Sequence, residues 1–255
     1  MALDIPGLSD AEIQRALKQL TSLPKHEQIE LNRMLVDLEK VKSIEKSQDT
    51  FLDFVNHVYP GYKVGKHHAR LAKIFEDIAN GKKKRVIVNI APRHGKSELI
   101  SYLAPAWFLG KHPDKKVIMA SHTADLAVNF GRRVRNLVGS DPYKEIFPDV
   151  ELQSDSKSAS RWGTNYQGEY FAIGVGGALA GRGADLFIID DPHSEQDAKL
   201  GKPEVFLPAW EWFQSGPIQR LMPGGAIIVV MTRWSKLDLT GQIVNQMVTN
   251  DDVDD

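Results

Sequence analysis

The chain has 255 residues, enough for one large α/β domain with a smaller appendage and for a substantial core. Its 42% hydrophobic and 25% charged content is that of an ordinary globular protein, and no apolar run approaches the roughly 20 residues that span a bilayer. The absence of cysteine rules out a disulfide framework or thiolate metal site, and a net charge of −1 leaves any nucleic-acid contact to local basic patches.

The opening residues carry no basic-then-apolar leader, so the simplest address is a cytoplasm. In chain order, the first fifty residues read as helical and polar. Ser9 and Glu12 fit a capping box ahead of a short stripe of Ile13, Leu17 and Leu20. A second helix starts after Pro24, with Leu31, Met34, Leu35, Leu38 and Val41 on one face. A charged stretch ends this appendage near residue 48; it reads as a helical arm packed on the main domain or as a docking element for a partner. Residues 49–247 then form the main domain, and 248–255 a solvated acidic linker. Helices at 51–58 and 67–79 lead into short β-branched runs at 86–90, 117–121, 170–174, 186–189 and 226–231. Helical stretches at 97–110, 124–138 and about 203–221 lie between several of them. The runs at 86, 117, 186 and 226 are almost wholly apolar, which predicts a mostly parallel, open α/β sheet with helices on both faces.

The strongest local signal is the run 86–90 followed by Ala91-Pro92-Arg93-His94-Gly95-Lys96-Ser97, with a helix opening at Glu98. A strand, a tight loop and a helix N-terminus are the parts of a Walker A phosphate loop. Backbone N–H groups cradle phosphates, the Lys reaches the β- and γ-phosphates, and the Ser hydroxyl ligates Mg²⁺. Gly95 lets the backbone approach a phosphate closely. The usual first glycine, six residues before the Lys, is replaced by Ile90. The run 186–189 ends in Asp190-Asp191, two carboxylates that a strand's alternation points to different sides. Asp190 is placed to hold Mg²⁺ and Asp191 to activate the attacking water, with Glu195 as the reserve candidate.

These residues resemble the large terminase subunit of tailed bacteriophages. Four stretches carry the resemblance: His67-His68-Ala69-Arg70-Leu71 leading to the phosphate loop; Ser121-His122-Thr123-Ala124-Asp125-Leu126-Ala127; Gly176 to Asp185 running into 186–192; and Arg220 to Gly225 followed by 229–234 and Asp238-Leu239-Thr240-Gly241. Together they cover about residues 55–245. The resemblance implies a P-loop NTPase core of the additional-strand type, with a parallel sheet and the phosphate loop at its centre. It implies ATP and Mg²⁺ as ligands, and double-stranded DNA, a portal protein and a small terminase subunit as partners. It further implies a homo-oligomeric ring, of five, on a procapsid in the cytoplasm of an infected bacterium. Relatives carry a C-terminal nuclease, which this chain is expected to lack, so no nuclease activity is expected of it.

By the same resemblance, Lys96, Arg93, Asp191, Arg182, Thr232 and Arg233 are the catalytic candidates. Residues 91–98, from Ala91 to Glu98, together with His68 are the nucleotide contacts, and Ser97 with Asp190 the metal ligands. Arg182 acts either as a finger on a neighbouring subunit's phosphate or in cis. Thr232 and Arg233 correspond to the coupling motif. Tyr59, Tyr62, His67 and His68 precede the loop where relatives contact adenine. The clusters 82–85 and 132–135 are the basic patches open to DNA. A helicase-like translocase and a nucleotide-binding assembly module with little turnover remain as other readings. A GTPase is disfavoured because no Asn-Lys-x-Asp signature occurs.

Overall fold

An apolar run without polar alternation is stable as a strand only when both of its faces are covered. The computed structural model, which describes residues 23–199 and 202–249, builds that arrangement. Seven strands form one sheet: β1 (Arg85–Asn89), β2 (Lys116–Ser121), β3 (Leu152–Lys157), β4 (Arg161–Thr164), β5 (Glu169–Gly174), β6 (Ala184–Asp190) and β7 (Leu221–Met231). Their order is β1-β7-β6-β2-β5-β4-β3. The first five in that order run parallel, and β4 and β3 close one end antiparallel. The strand β7 thus stands between the strand that precedes the phosphate loop and the strand that ends in two carboxylates. This is the additional-strand form of the P-loop fold.

The helices of the main unit are α2 (Phe51–Val58), α3 (Lys66–Ala79), α4 (Ala104–Lys111), α5 (Ala124–Val138), α6 (Asp141–Ile146), α7 (Glu195–Lys199), α8 (Leu207–Ser215) and α9 (Leu239–Thr249). Side chains alternate across β6 and so feed two cores. Leu186 and Ile188 pack with Phe51, Phe75, Leu99, Trp107 and Val134 on one face. Phe187 and Ile189 pack with Trp212, Phe213 and Leu239 on the other.

Contacts divide the chain into the units Met1–Lys46 and Ser47–Asp255. In the first, a single helix is described, α1 (Lys25–Asp49), whose last turn belongs to the second unit. Of its predicted stripe, Leu31 and Leu35 are half-buried, while Met34, Leu38 and Val41 are exposed. The stretch from Ser9 to Leu20 lies outside the described residues, as does the end of the chain after 249.

Three expectations are corrected. The strand before the phosphate loop is at an edge of the sheet, not its centre, because among the described residues β1 pairs with β7 alone. The helix expected over 97–110 opens as a π-helix, Glu98–Leu103, before continuing as α4. The helix expected over 203–221 is only α8, with a 3₁₀ turn on either side beginning at Pro203 and Pro217, where no N–H is available to continue it.

Gly131, in the middle of α5, shows how tightly the first core is built. A Cβ there would overlap the Ala159 carbonyl, and the Gly131 carbonyl itself accepts the Trp162 indole N–H at 3.1 Å. Alanine is favoured over glycine in a helix by about 1 kcal/mol. Overlap with a backbone atom that cannot rotate away costs about 1–3 kcal/mol. Gly131→Ala should therefore lower the urea midpoint of unfolding; a raised midpoint would show that the Ala159 segment yields.

Candidate active site

The carboxyl ends of β1, β6 and β7 lie side by side, the edge of an α/β sheet where ligands bind. The loop after β1 turns through positive φ at Arg93 (62°) and Gly95 (72°). At Gly95 glycine is required twice over: for the backbone angle, and because a Cβ would sit 2.7 Å from His68 Nε2. His68 Nδ1 accepts the Gly65 N–H at 3.0 Å, so its proton is on Nε2, which donates to the His94 carbonyl at 2.9 Å. His67 Nε2 reaches the same carbonyl at 3.0 Å. The start of α3 thus clamps the crown of the loop. Tyr62 stacks near His68 and has its hydroxyl buried without a partner; burial, then Glu98 and Tyr59, pushes its pKa up to about 12.

Beyond the loop, Lys96 is buried at 6% exposure, and its Nζ sits 2.8 Å from Asp191 Oδ2. The other oxygen of Asp191 accepts the Thr232 N–H at 3.0 Å, so one carboxylate joins the ends of all three strands. Asp191 itself is held at φ 42°, its carbonyl facing the N–H and Nδ1 of His122 at 3.3 and 3.2 Å. Asp190 turns inward at 2% exposure. Its Oδ2 accepts Ser101 Oγ at 2.7 Å, and its Oδ1 has no hydrogen-bond partner. Burial, reinforced by the charge of Asp191, raises its pKa to about 6 against the hydroxyls of Ser97 and Ser101 and the Lys96 ammonium.

A buried carboxylate oxygen left bare beside a serine hydroxyl suits a hard divalent cation. Among the described residues no cluster of three or more His, Asp or Glu side chains could hold a metal alone. A cation at Ser97 and Asp190 would have to complete its shell with water or substrate oxygens, the habit of Mg²⁺.

Other candidates are placed differently. Ala91, Pro92 and Arg93 are exposed on the loop, and Arg93 makes no ion pair among the described residues. Glu98 is taken by Arg133 at 2.5 Å, which also lies over Tyr102. Arg233 turns to Asp238 (3.0 Å) and the Ser235 carbonyl. Asp238 also accepts the N–H groups of Trp234, Ser235 and Gly241, capping α9. Burial alone would raise its pKa, but those backbone donors and Arg233 outweigh it and hold it below the usual carboxylate range. Arg182 is not brought to the loop. It pairs with Glu169 at 2.9 Å and lies 3.7 Å above the Phe171 ring, at the amino ends of β5 and β6. Glu195 is exposed and pairs with Lys199, which lowers its pKa.

Ser101, His122 and Asp238 went unnoticed as site residues in the sequence. Ser101 follows Ser97 by four positions, a spacing that shares a helical face and was readable. Asp238, three before Gly241, was readable as a cap.

Asp190 gives a prediction with a definite sign. Its folded pKa lies above the ordinary value, so the folded protein keeps this proton longer than the unfolded chain does. The stability present at pH 4 is lost as pH rises through about 6. Without divalent cation, Asp190→Asn should therefore raise stability at pH 7.5 by about 2–3 kcal/mol and flatten the pH 4–7 stability profile. Equal or lower stability of the variant in thermal unfolding would contradict this.

Residues 87–200 match the family model for the N-terminal part of T4-like terminase large subunits. The search of curated proteins gives no match. Among solved structures, the large terminase of bacteriophage HK97 aligns with a TM-score of 0.54 and 15% identity, over 80% of this chain and 42% of that one. This chain thus spans less than half the length of the HK97 protein. The large terminase ATPase domain of Thermus phage P74-26 aligns with a TM-score of 0.45 and 17% identity, over 70% of this chain and 67% of that one. The fold shared with the HK97 protein agrees with the family match, which covers the segment that carries the phosphate loop and both carboxylates.

Proposed function

We propose that this chain is the ATP-hydrolysing motor domain of a phage large terminase, which drives double-stranded viral DNA into a procapsid in the cytoplasm of an infected bacterium. The observation that carries the reading is the Asp191 carboxylate, shared between Lys96 of the phosphate loop and the Thr232 N–H at the end of β7.

When ATP enters, the loop amides of 91–97 and Lys96 take the β- and γ-phosphates, and Lys96 exchanges one anion, Asp191, for another. Ser97 and Asp190 would hold Mg²⁺, which when bound would neutralise charge on the phosphate oxygens. Asp191, released by Lys96, orients a water and accepts its proton as the oxygen attacks the γ-phosphorus and ADP leaves. Thr232 stays bonded to that carboxylate through its N–H, so β7 registers the change. His68 holds the loop, with Glu98 and Arg133 bracing the helix that follows.

Arg93, exposed on the loop, contacts the γ-phosphate. Arg233 anchors the coupling segment through Asp238. Arg182, at the far end of the sheet, serves a neighbouring subunit's phosphate in a homo-oligomeric ring, a pentamer. The portal protein and a small terminase subunit are the partners of that ring, and 248–255 is a linker.

ATP turnover against protein concentration, with and without duplex DNA, tests the reading. Asp191→Asn should cut turnover by about 10²–10⁴-fold while Mg-ATP still binds. In the unaltered chain turnover should rise more than linearly with concentration. Mixing the inactive variants Lys96→Ala and Arg182→Ala should restore part of the activity, and no recovery would count against a shared site. Tight nucleotide binding with near-zero turnover at every concentration would favour an assembly module.

A further inference from the structure

The amino end of β1 has no part in the nucleotide site, yet it gathers charge. A groove of about 1060 Å³ runs along the outer edge of this strand, lined by Arg70 and Ile74 of α3 and by Lys82, Lys83, Lys84 and Arg85. Val86 and Ile87 form its floor, and no carboxylate lines it. The outer edge of β1 has no strand partner among the described residues, so backbone groups face the same groove.

The lysines stand on a rigid mount. Helix α3 ends in a Schellman turn, with Gly81 N–H bonded to the Ile78 carbonyl at 2.9 Å, Lys82 N–H to the Asp77 carbonyl at 2.8 Å, and Gly81 at φ 73°. Arg85 is fixed beside them, donating to the Lys84 and Gly225 carbonyls at 2.9 and 3.2 Å, and burial lowers its pKa. Arg70, Lys82, Lys83 and Lys84 are exposed and form no ion pair among the described residues. The negative end of α3 accounts for one nearby cation at about 0.3–1 kcal/mol, not for five around one groove. The other basic run is already committed: Arg133 to Glu98, Tyr102 and Phe130, and Arg135 to Asn136. Only Arg132 there is free.

We infer that this groove binds the phosphate backbone of duplex DNA. Lysine heads on a fixed turn, backbone N–H groups along a free strand edge and no acidic lining are what sequence-independent phosphate contact needs. The inference rests on the motor reading and adds to it where the substrate lies. It also gives that substrate a path to the chemistry. Strand β1 leads from Arg85 to the phosphate loop over about 16 Å, and the Arg85–Gly225 bond ties its start to β7, which ends at Met231, next to Thr232.

The test is fluorescence anisotropy of a labelled 30-base-pair duplex with the full chain, Mg²⁺ and a non-hydrolysable ATP analogue, over a series of salt concentrations. The triple variant K82Q/K83Q/K84Q should reduce the slope of log affinity against log salt by about 2–3, and R70Q, on a separate element, by about 1. At 0.1 M salt the triple variant should bind on the order of 10²-fold more weakly. R132Q should leave the slope unchanged, and melting temperatures check that each variant keeps its fold. An unchanged slope in both groove variants would overturn the inference while leaving the motor reading intact. No salt-dependent duplex binding by the unaltered chain would sink the motor reading itself.

Discussion

Burying a lysine ammonium is costly unless an anion meets it, and Lys96 is met by Asp191. Much of the local architecture answers that requirement. The loop must bring Lys96 under the sheet edge, which needs the positive φ at Gly95 and the His68 clamp on His94. The carboxylate must reach out from the end of β6, and Asp191 does so by adopting φ 42°, a region aspartate tolerates better than most residues. Its second oxygen then fixes Thr232. The pair is thus a structural joint between three strands, and in the proposed reaction it is the contact that an incoming phosphate would displace. On that reading the site has a second arrangement, with the lysine on phosphate in place of carboxylate.

Much of the fold could be read from residue pattern because its signals are local. The apolar runs at β1, β2, β6 and β7 have no polar alternation and so demanded cover on both faces. The helix at 124–138 follows from Thr123, which accepts the Leu126 N–H, and from its apolar stripe. The strands β3 and β4 carried no such signal: after Leu152, the segment Gln-Ser-Asp-Ser-Lys at 153–157 is polar, and pairing with β4 makes it a strand. Strand order was equally hidden. That β7 lies between β1 and β6 depends on β1–β7 pairings more than 130 residues apart, which no local periodicity encodes.

The site divides along the same line. Lys96, Ser97, Asp190 and Asp191 announce themselves because a loop motif and a strand end fix their positions. The arginines do not. Arg182 is eight positions before Asp190, and proximity in sequence suggested a shared neighbourhood. A strand advances about 3.3 Å per residue, so β6 carries the two to opposite ends of the sheet, where Glu169 and Phe171 hold the arginine. On the proposed reading, a phosphate that Arg182 meets in that place would belong to another molecule. Arg233 illustrates the reverse case: beside Thr232 in sequence, it is drawn off by a carboxylate five residues on, whose first task is to cap α9.

The two ends of the sheet therefore carry opposite electrostatic demands. At the carboxyl ends, two adjacent aspartates sit close enough that one raises the other's pKa, and the Lys96 ammonium relieves the conflict. At the amino end of β1 the conflict has the other sign, with five cations around one groove and no acid to relieve them. Each end lacks the charge that its substrate would bring. A strand is stiff along its axis, and β1 and β7 are bonded to each other over β1's full length, from Arg85 to Asn89. On the proposed reading, occupancy at one end would bear on the other through this short, continuous hydrogen-bonded path. Coupling would then need no long-range rearrangement, only a shift of Lys96 from carboxylate to phosphate felt along two paired strands.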